Sequence, residues 1–293
     1  MRIRALVALG LLTAVPADAE YVPQPLGPLW QKGDAAILVT SCTSDIENDT
    51  SCRGLALRQG GRVEPLGRGY MSAKLLWSRK AGGAGPDVLV LGDSGGSGGY
   101  GDLFAVTFSP KPAVAKYAGE RLDSVKVDPS PGPLRFTLPF DIEFFNGAPH
   151  AGAVIVPIPT IWRNGGFAAD MPNLLARNFS ASELDFRLLA LREELNRWSQ
   201  DAYPAATLYP PQSNRGTPVT VTALLEMILT GHADQARTLL HRAWPRSNGN
   251  LARPMGGEDA FWKAICQAVL REPLWQRLRL DRLPDADVVE AAA

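Results

Sequence analysis

The stretch VLVLGDSGGSGGYGDLFAV, 88–106, holds the residues of this chain best suited to chemistry by type and spacing. Its Gly92–Gly96 segment reads GDSGG. A serine hydroxyl becomes a nucleophile when a base takes its proton, an acid orients that base, and backbone N–H groups face the developing oxyanion. Ser94 is a candidate nucleophile, with His150 as base and Asp93, Asp102 or Asp141 as acid. The chain has three histidines, His150, His232 and His241, and all follow Ser94. The same stretch offers a second chemistry. Asp93 and Asp102 bracket a loop of glycine, serine and tyrosine, and calcium takes six to eight oxygens from such loops. A third group lies in PFDIEFFNGAPH, 139–150. Asp141 and Glu143, two apart on a strand, would share one sheet face, and His150 follows the Asn146-Gly147 turn signal. A histidine with two carboxylates can hold a metal or move a proton.

GDSGG resembles the string around the nucleophilic serine of chymotrypsin-like proteases. That resemblance implies a histidine and an aspartate upstream of the serine. No upstream segment resembles the family's histidine motif, and too little chain precedes Ser94 to build the first barrel of that fold. The run DSGGSGGYGDL, 93–103, resembles the calcium loops of propeller-like extracellular repeats, in which an acidic loop leads into a strand beginning Asp-Leu. It implies calcium on Asp93 and Asp102, but Gly95 and Gly101 stand where side-chain oxygens would be wanted. The plainer reading is a hairpin. DVLVLG and LFAVTF read as strands, and the glycines between them adopt positive φ without steric cost. On that reading Ser94 is not a nucleophile, no cofactor is expected, and the loop is mobile or folds over a neighbour such as the turn at Asn146.

These residues need elements to hold them. From about Ala35 to Trp162 the chain reads as short strands separated by Gly, Pro and Asp clusters: AAILVTS, RGLALRQ, KLLWSR, DVLVLG, LFAVTFS, SVKVD, LRFTLPFDIEFF and AVIVPIPTIW. Pro157 and Pro159 suggest that the last is an edge strand. From about Ala181 the period becomes helical. Ser182 is a possible cap, and Leu184, Leu188, Leu191 and Leu195 form a stripe. TPVTVTALLEMILTG, ADQARTLLHRAW, GEDAFWKAICQAVLREP and PLWQRL follow as further helices. The expected fold is α+β: an antiparallel β-rich part over 20–170 (sandwich, barrel or propeller fragment), a helical part over 171–283, and a frayed, disordered tail over 284–293. A helical layer on a sheet and two separate domains both satisfy this pattern.

GHADQARTLLHRAWP, 231–245, resembles the second helix of a tetratricopeptide repeat: Gly231 at the turn, Ala236 at a close helix approach, Leu240 and Ala243 on the packed face, then Pro245. The resemblance covers only this hairpin, and the preceding helix lacks that family's tryptophan and tyrosine. It implies a protein or peptide partner held by the helical part. An ordinary αα-hairpin accounts for the same residues.

The ends and the composition bound the class. Arg2 and Arg4, an apolar run over 5–15 and the Ala17-Asp18-Ala19 triplet read as a bacterial secretory leader, 1–19, cleaved before Glu20. The expected compartment is periplasmic or extracellular. No other run is long and apolar enough to span a bilayer. With 30 basic and 30 acidic side chains and no basic patch, nucleic acid is not the expected partner. Cys42 and Cys52 bracket a polar loop between two strands and are expected to form a disulfide in an oxidising compartment. Cys266 is left over, as a buried inert thiol in an apolar helix. No catalytic constellation is complete. The sequence therefore reads as an exported, non-enzymatic binding or scaffolding protein, with a hydrolase or metal-dependent enzyme using Ser94, His150 and nearby acids as the alternative.

Overall fold

The computed structural model describes residues 24–42, 52–80, 85–96, 98–109, 111–128, 130, 132–142, 153–200, 217–245 and 257–293. Its strands form three four-stranded antiparallel sheets, each a meander of consecutive strands. The first holds β1 (Pro25–Lys32), β2 (Ala35–Ser41), β3 (Arg53–Gln59) and β4 (Arg62–Tyr70). The second holds β5 (Ser72–Ser78), β6 (Val88–Gly95), β7 (Tyr100–Thr107) and β8 (Ala113–Gly119). The third holds β9 (Lys126–Asp128), β10 (Arg135–Ile142), β11 (Val154–Arg163) and β12 (Gly166–Ala169). Each sheet keeps two edges, so none is a closed barrel.

The second sheet is buried on both faces, and its central strands show why. Successive side chains of a strand point to opposite faces, and VLVL and LFAV are apolar throughout, as expected of a doubly covered strand. Val88, Val90, Phe104 and Val106 pack with Ile37, Leu55 and Leu57 of the first sheet. Leu89, Leu91, Leu103 and Ala105 face a larger core shared with Phe136, Leu138 and Phe140 of the third sheet and with the helices. Because that core runs without a break from Leu89 to Val289, the β and helical parts share one interior.

The prolines of β11 do not place it at an edge, because β11 lies between β10 and β12. Their physical reason is local. β12 pairs only with Thr160–Arg163, so Pro157 and Pro159 sit where that side of β11 has no sheet partner. Pro139, opposite Pro157, likewise lies beyond the end of β9, which pairs with Arg135–Thr137. A missing N–H costs no ladder bond at such positions.

The change from strand to helix falls between Ala169 and Met171. Helices α1 (Met171–Leu175), α2 (Ala181–Gln200), α3 (Thr217–Leu229), α4 (Ala233–Ala243), α5 (Glu258–Arg271), α6 (Pro273–Arg277) and α7 (Ala286–Ala292) follow. Leu188, Leu191 and Leu195 of the α2 stripe are buried, and Leu184 packs against the same core. The capping hydroxyl of α2 is that of Ser180, which accepts from the Glu183 N–H at 3.2 Å; Ser182 already lies inside the helix. Helices α3 and α4 make an αα-hairpin that turns at Gly231 (φ +80°), with Ala236 and Leu240 fully buried.

The expected frayed tail is instead ordered. Residues 286–292 form α7, Val289 is fully buried, and the Gln267 side chain donates to the Ala293 carbonyl at 3.0 Å. A short segment with two valines gains its order by covering α5 and α4, which no local periodicity announces.

Cys42 and Cys52 stand at bonding distance, with Cα atoms 5.3 Å apart. The β2–β3 register pairs Ser41 with Arg53, so the next residue on each strand is a cysteine facing its partner. Cys266 is fully buried in α5 and free. Burial pushes its thiol up to about 12, so it stays protonated and unreactive at neutral pH.

Candidate binding cleft

The glycine-rich segment is a β-hairpin whose glycines answer to specific neighbours. Gly92 pairs with Asp102, and Asp93 pairs with Gly101. The ring of Tyr70, at the end of β4, covers Gly92: a Cβ there would stand 2.6 Å from ring carbons. A Cβ on Gly67 would stand 2.0 Å from the Tyr70 hydroxyl. Gly95, Gly96 and Gly99 have φ of +77°, +82° and +57°, the left-handed region that carries the chain round the turn.

The structure separates the acids that the sequence grouped. Directly paired residues share a face, so Asp102 lies on the Gly92 face and Asp93 on the opposite one. The hairpin register therefore does not bring the two carboxylates together, because they lie on opposite faces of one sheet. Each has its own cation instead. Asp102 accepts from the Tyr70 hydroxyl and lies 2.9 Å from Lys116 Nζ. Asp93 accepts from the Gly95 N–H at 2.8 Å and lies 3.5 Å from Lys74 Nζ. Burial and the Asp102 carboxylate hold the Tyr70 phenol far above its ordinary range, so it remains a donor. Among the described residues, no group of three or more His, Cys, Asp or Glu side chains could hold a metal.

Ser94 is exposed on the last turn of β6. Its candidate base His150 lies outside the described residues, as do Glu143 and the Asn146 turn. The other two histidines are engaged in the helical part. His232 stands edge-on to Phe179, with ring centroids 5.2 Å apart, and His241 lies 3.2 Å from Glu258. Besides Tyr70 and Met71, the glycine loop meets the segment after β8. The Arg121 N–H donates to the Gly98 carbonyl at 2.7 Å and the Leu122 N–H to the Gly99 carbonyl at 3.1 Å. Arg121 also reaches Asp141, with its Nε 3.6 Å from Oδ2.

Among the described residues, Asp141 is the one sequence candidate that the fold brings to a cavity. A cleft of about 470 Å³ lies between the end of β8, the end of β10 and the junction of α5 with α6. Tyr117, Glu120, Asp141, Gln267, Arg271 and Glu272 contribute its polar groups. Glu272 is there because it caps α6: its carboxylate accepts from the Leu274 N–H at 3.4 Å, and Pro273 occupies the first helical turn. Burial raises the Glu272 carboxyl to about 7. The Leu274 N–H and Arg277 oppose the rise, while Asp141 and Glu120 add to it. Tyr117 divides this cleft from a second one of about 320 Å³, where Lys116, Leu138, Phe167, Leu274 and Arg277 line the wall. Arg277 lies over the Tyr117 ring, 5.4 Å from its centroid. Burial and the Glu272 carboxylate lift the Tyr117 phenol above its ordinary range.

The two clefts thus form a trough that is acidic at one end and basic at the other. The volumes suit a small ligand or a short length of chain. Sequence reading missed Glu120, Tyr117 and Glu272. The Glu-Pro-Leu start of α6 was visible as a capping signal, but nothing in it announces that the carboxyl is half-buried beside Asp141. No protein-family model, curated protein or solved structure matches this chain.

Proposed function

We propose that this is an exported protein that binds a peptide or protein segment in the trough between β8, β10 and the α5–α6 junction. The observation that carries the reading is the trough itself, a concave site of drug-like volume with charged groups at both ends and apolar walls. The leader-like N-terminus and the bonded cysteine pair support export to the periplasm or beyond. The absence of any helix long and apolar enough to cross a membrane, among the described residues, is consistent with it. Within the described part of the trough, carboxyls, a phenol and guanidinium groups supply recognition.

The test has two readouts. N-terminal sequencing of the chain recovered from a periplasmic extract should begin at Glu20. Pools of degenerate hexapeptides should raise the melting temperature by mass action and slow backbone hydrogen exchange at 117–120 and 267–272. A chain retained in the cytoplasm with Met1 overturns the export reading. Pools that protect neither segment overturn the binding reading.

A further inference from the structure

The smaller cleft joins two kinds of lining. Leu138 of β10 and Leu274 and Leu278 of the α6 segment are buried, and Phe167 of β12 and Ala115 of β8 complete an apolar wall with them. Arg277 stands exposed on the same lining, with its guanidinium over the Tyr117 ring, 5.4 Å from the centroid. Among the described residues no protein acceptor takes a hydrogen bond from that guanidinium; Glu272 acts on it only through space. A cation–π contact occupies no N–H donor, so the donor fork of Arg277 is left for a planar anion. The other cation of the cleft is committed: Lys116 Nζ lies 2.9 Å from Asp102 and 5.4 Å from the centre of the Phe104 ring.

Spacing selects the anion. Leu274 stands three residues before Arg277 and four before Leu278, so all three meet on one face of the segment, with Cβ atoms about 5–6 Å from that of Leu274. An anion that reaches Arg277 and also fills the apolar wall must carry its carboxylate close to an apolar group. The last residue of a peptide does so, because its carboxylate and its side chain branch from one Cα. An acidic residue inside an extended peptide does not, because the next side chain is about 3.3 Å further on and points to the opposite side. The volume of about 320 Å³ lies at the lower end of small-ligand sites and suits a chain end. Past Tyr117 the trough opens into the larger cleft, where Glu120, Gln267 and Arg271 supply polar walls. Such walls suit the preceding residues of a peptide and do not suit the tail of a long-chain acid.

We propose that the smaller cleft receives the C-terminus of a peptide, with the terminal carboxylate on the Arg277 guanidinium and an apolar last side chain against Leu138, Phe167, Leu274 and Leu278. The preceding residues run past Tyr117 toward Glu120. The charge-assisted fork fixes the chain end, and the apolar wall selects its last side chain. The proposal rests on the trough being a peptide site and goes beyond it by naming the end that is read, the direction in which the peptide lies and the class of its last residue.

The probe is a hexapeptide of serine, alanine and threonine that ends in leucine, labelled with fluorescein at its N-terminus and free at its C-terminus. Three relatives accompany it: the C-terminal amide, the free acid ending in serine, and the amide with aspartate as its penultimate residue. The leucine acid should bind. The amide and the serine acid should each bind about tenfold more weakly or worse, the first through the lost charge-assisted bond and the second through the lost apolar contact. The aspartate amide should bind no better than the plain amide. Arg277→Gln should bring the leucine acid and its amide close to equal affinity. Equal binding of acid and amide to the unaltered protein, or recovery of affinity by the internal aspartate, overturns the reading of the chain end and leaves the trough as a peptide site. Dodecanoate that binds more tightly than the leucine acid makes the cleft an acyl-chain site, and the proposal falls. If none of the peptides binds, the proposal and the peptide reading fall together. The amide, serine and aspartate arms use unaltered protein, so the question is decided even if Arg277→Gln fails to fold.

Discussion

The ring of Tyr70 rests directly on Gly92, and its hydroxyl donates to Asp102, the residue paired with Gly92 across the hairpin. The first glycine of GDSGG is therefore a seat for an aromatic ring brought by another sheet. Gly92→Ala should cost about 1–3 kcal/mol by overpacking. Tyr70→Phe should cost about 1–3 kcal/mol through the lost charge-assisted bond to Asp102. Gly96→Ala should cost only about 1 kcal/mol, because its space is open and only its positive φ is strained. Urea midpoints check the ranking. A Gly96 variant that matched Gly92→Ala would show that φ, and not the Tyr70 ring, sets the requirement.

Ser94 should not react with a fluorophosphonate probe. It is exposed on the hairpin, and both described histidines are engaged far along the chain. Stoichiometric labelling that disappears in Ser94→Ala and in His150→Ala would establish an active site there.

Cys42 and Cys52 should be joined in a non-reducing peptide map, and reduction should cost on the order of 2–3 kcal/mol for so short a loop. Cys266 should react with a thiol reagent only at the rate of unfolding, because it is fully buried with its thiol pushed up to about 12. Rapid native-state labelling of Cys266 would contradict that placement.

Glu272 predicts a pH dependence. Its folded value, about 7, lies above the ordinary carboxylate value, so between about pH 4.5 and pH 7 the folded chain binds the extra proton. Stability from this group is therefore greatest below that window and is lost as pH rises through 7. Glu272→Gln, which keeps an oxygen for the Leu274 N–H, should flatten this decline. It should gain on the order of 1–2 kcal/mol over the unaltered protein at pH 8, the remaining exposure of the site being allowed for. Parallel melting curves at pH 4.5 and 8 read this directly, and an equal decline in both proteins would remove Glu272 as its source.

Ala236→Leu should destabilise by about 1–3 kcal/mol. Ala236 is fully buried in the hairpin of α3 and α4, and a larger side chain forces the helices apart. An unchanged denaturation midpoint would mean that the face can open.

The strands legible in the sequence were mainly those at the centres of the sheets. AAILVTS, RGLALRQ, DVLVLG and LFAVTFS carry apolar runs because they are covered on one or both faces, and they became β2, β3, β6 and β7. The helical stripe of Leu184, Leu188, Leu191 and Leu195 was legible for the same reason, since burial imposes a period on the residues themselves. The strands that went unread, β1, β4, β8 and β12, are all at sheet edges. Their sequences, PLGPLWQK and RVEPLGRGY among them, mix proline, glycine and charge, because an edge strand takes half its definition from a neighbour's hydrogen bonds. The candidate site divides in the same way. Asp141 could be named from its place on a strand beside other acids. That it meets Glu120 and Glu272 depends on how β8, β10 and the α5–α6 junction converge, and that Asp93 and Asp102 part company depends on a register set by hairpin pairing. Local pattern records which side of an element is buried. Only the packed chain decides which distant segments share a cleft, because that is set by long-range contacts that leave no period in the sequence.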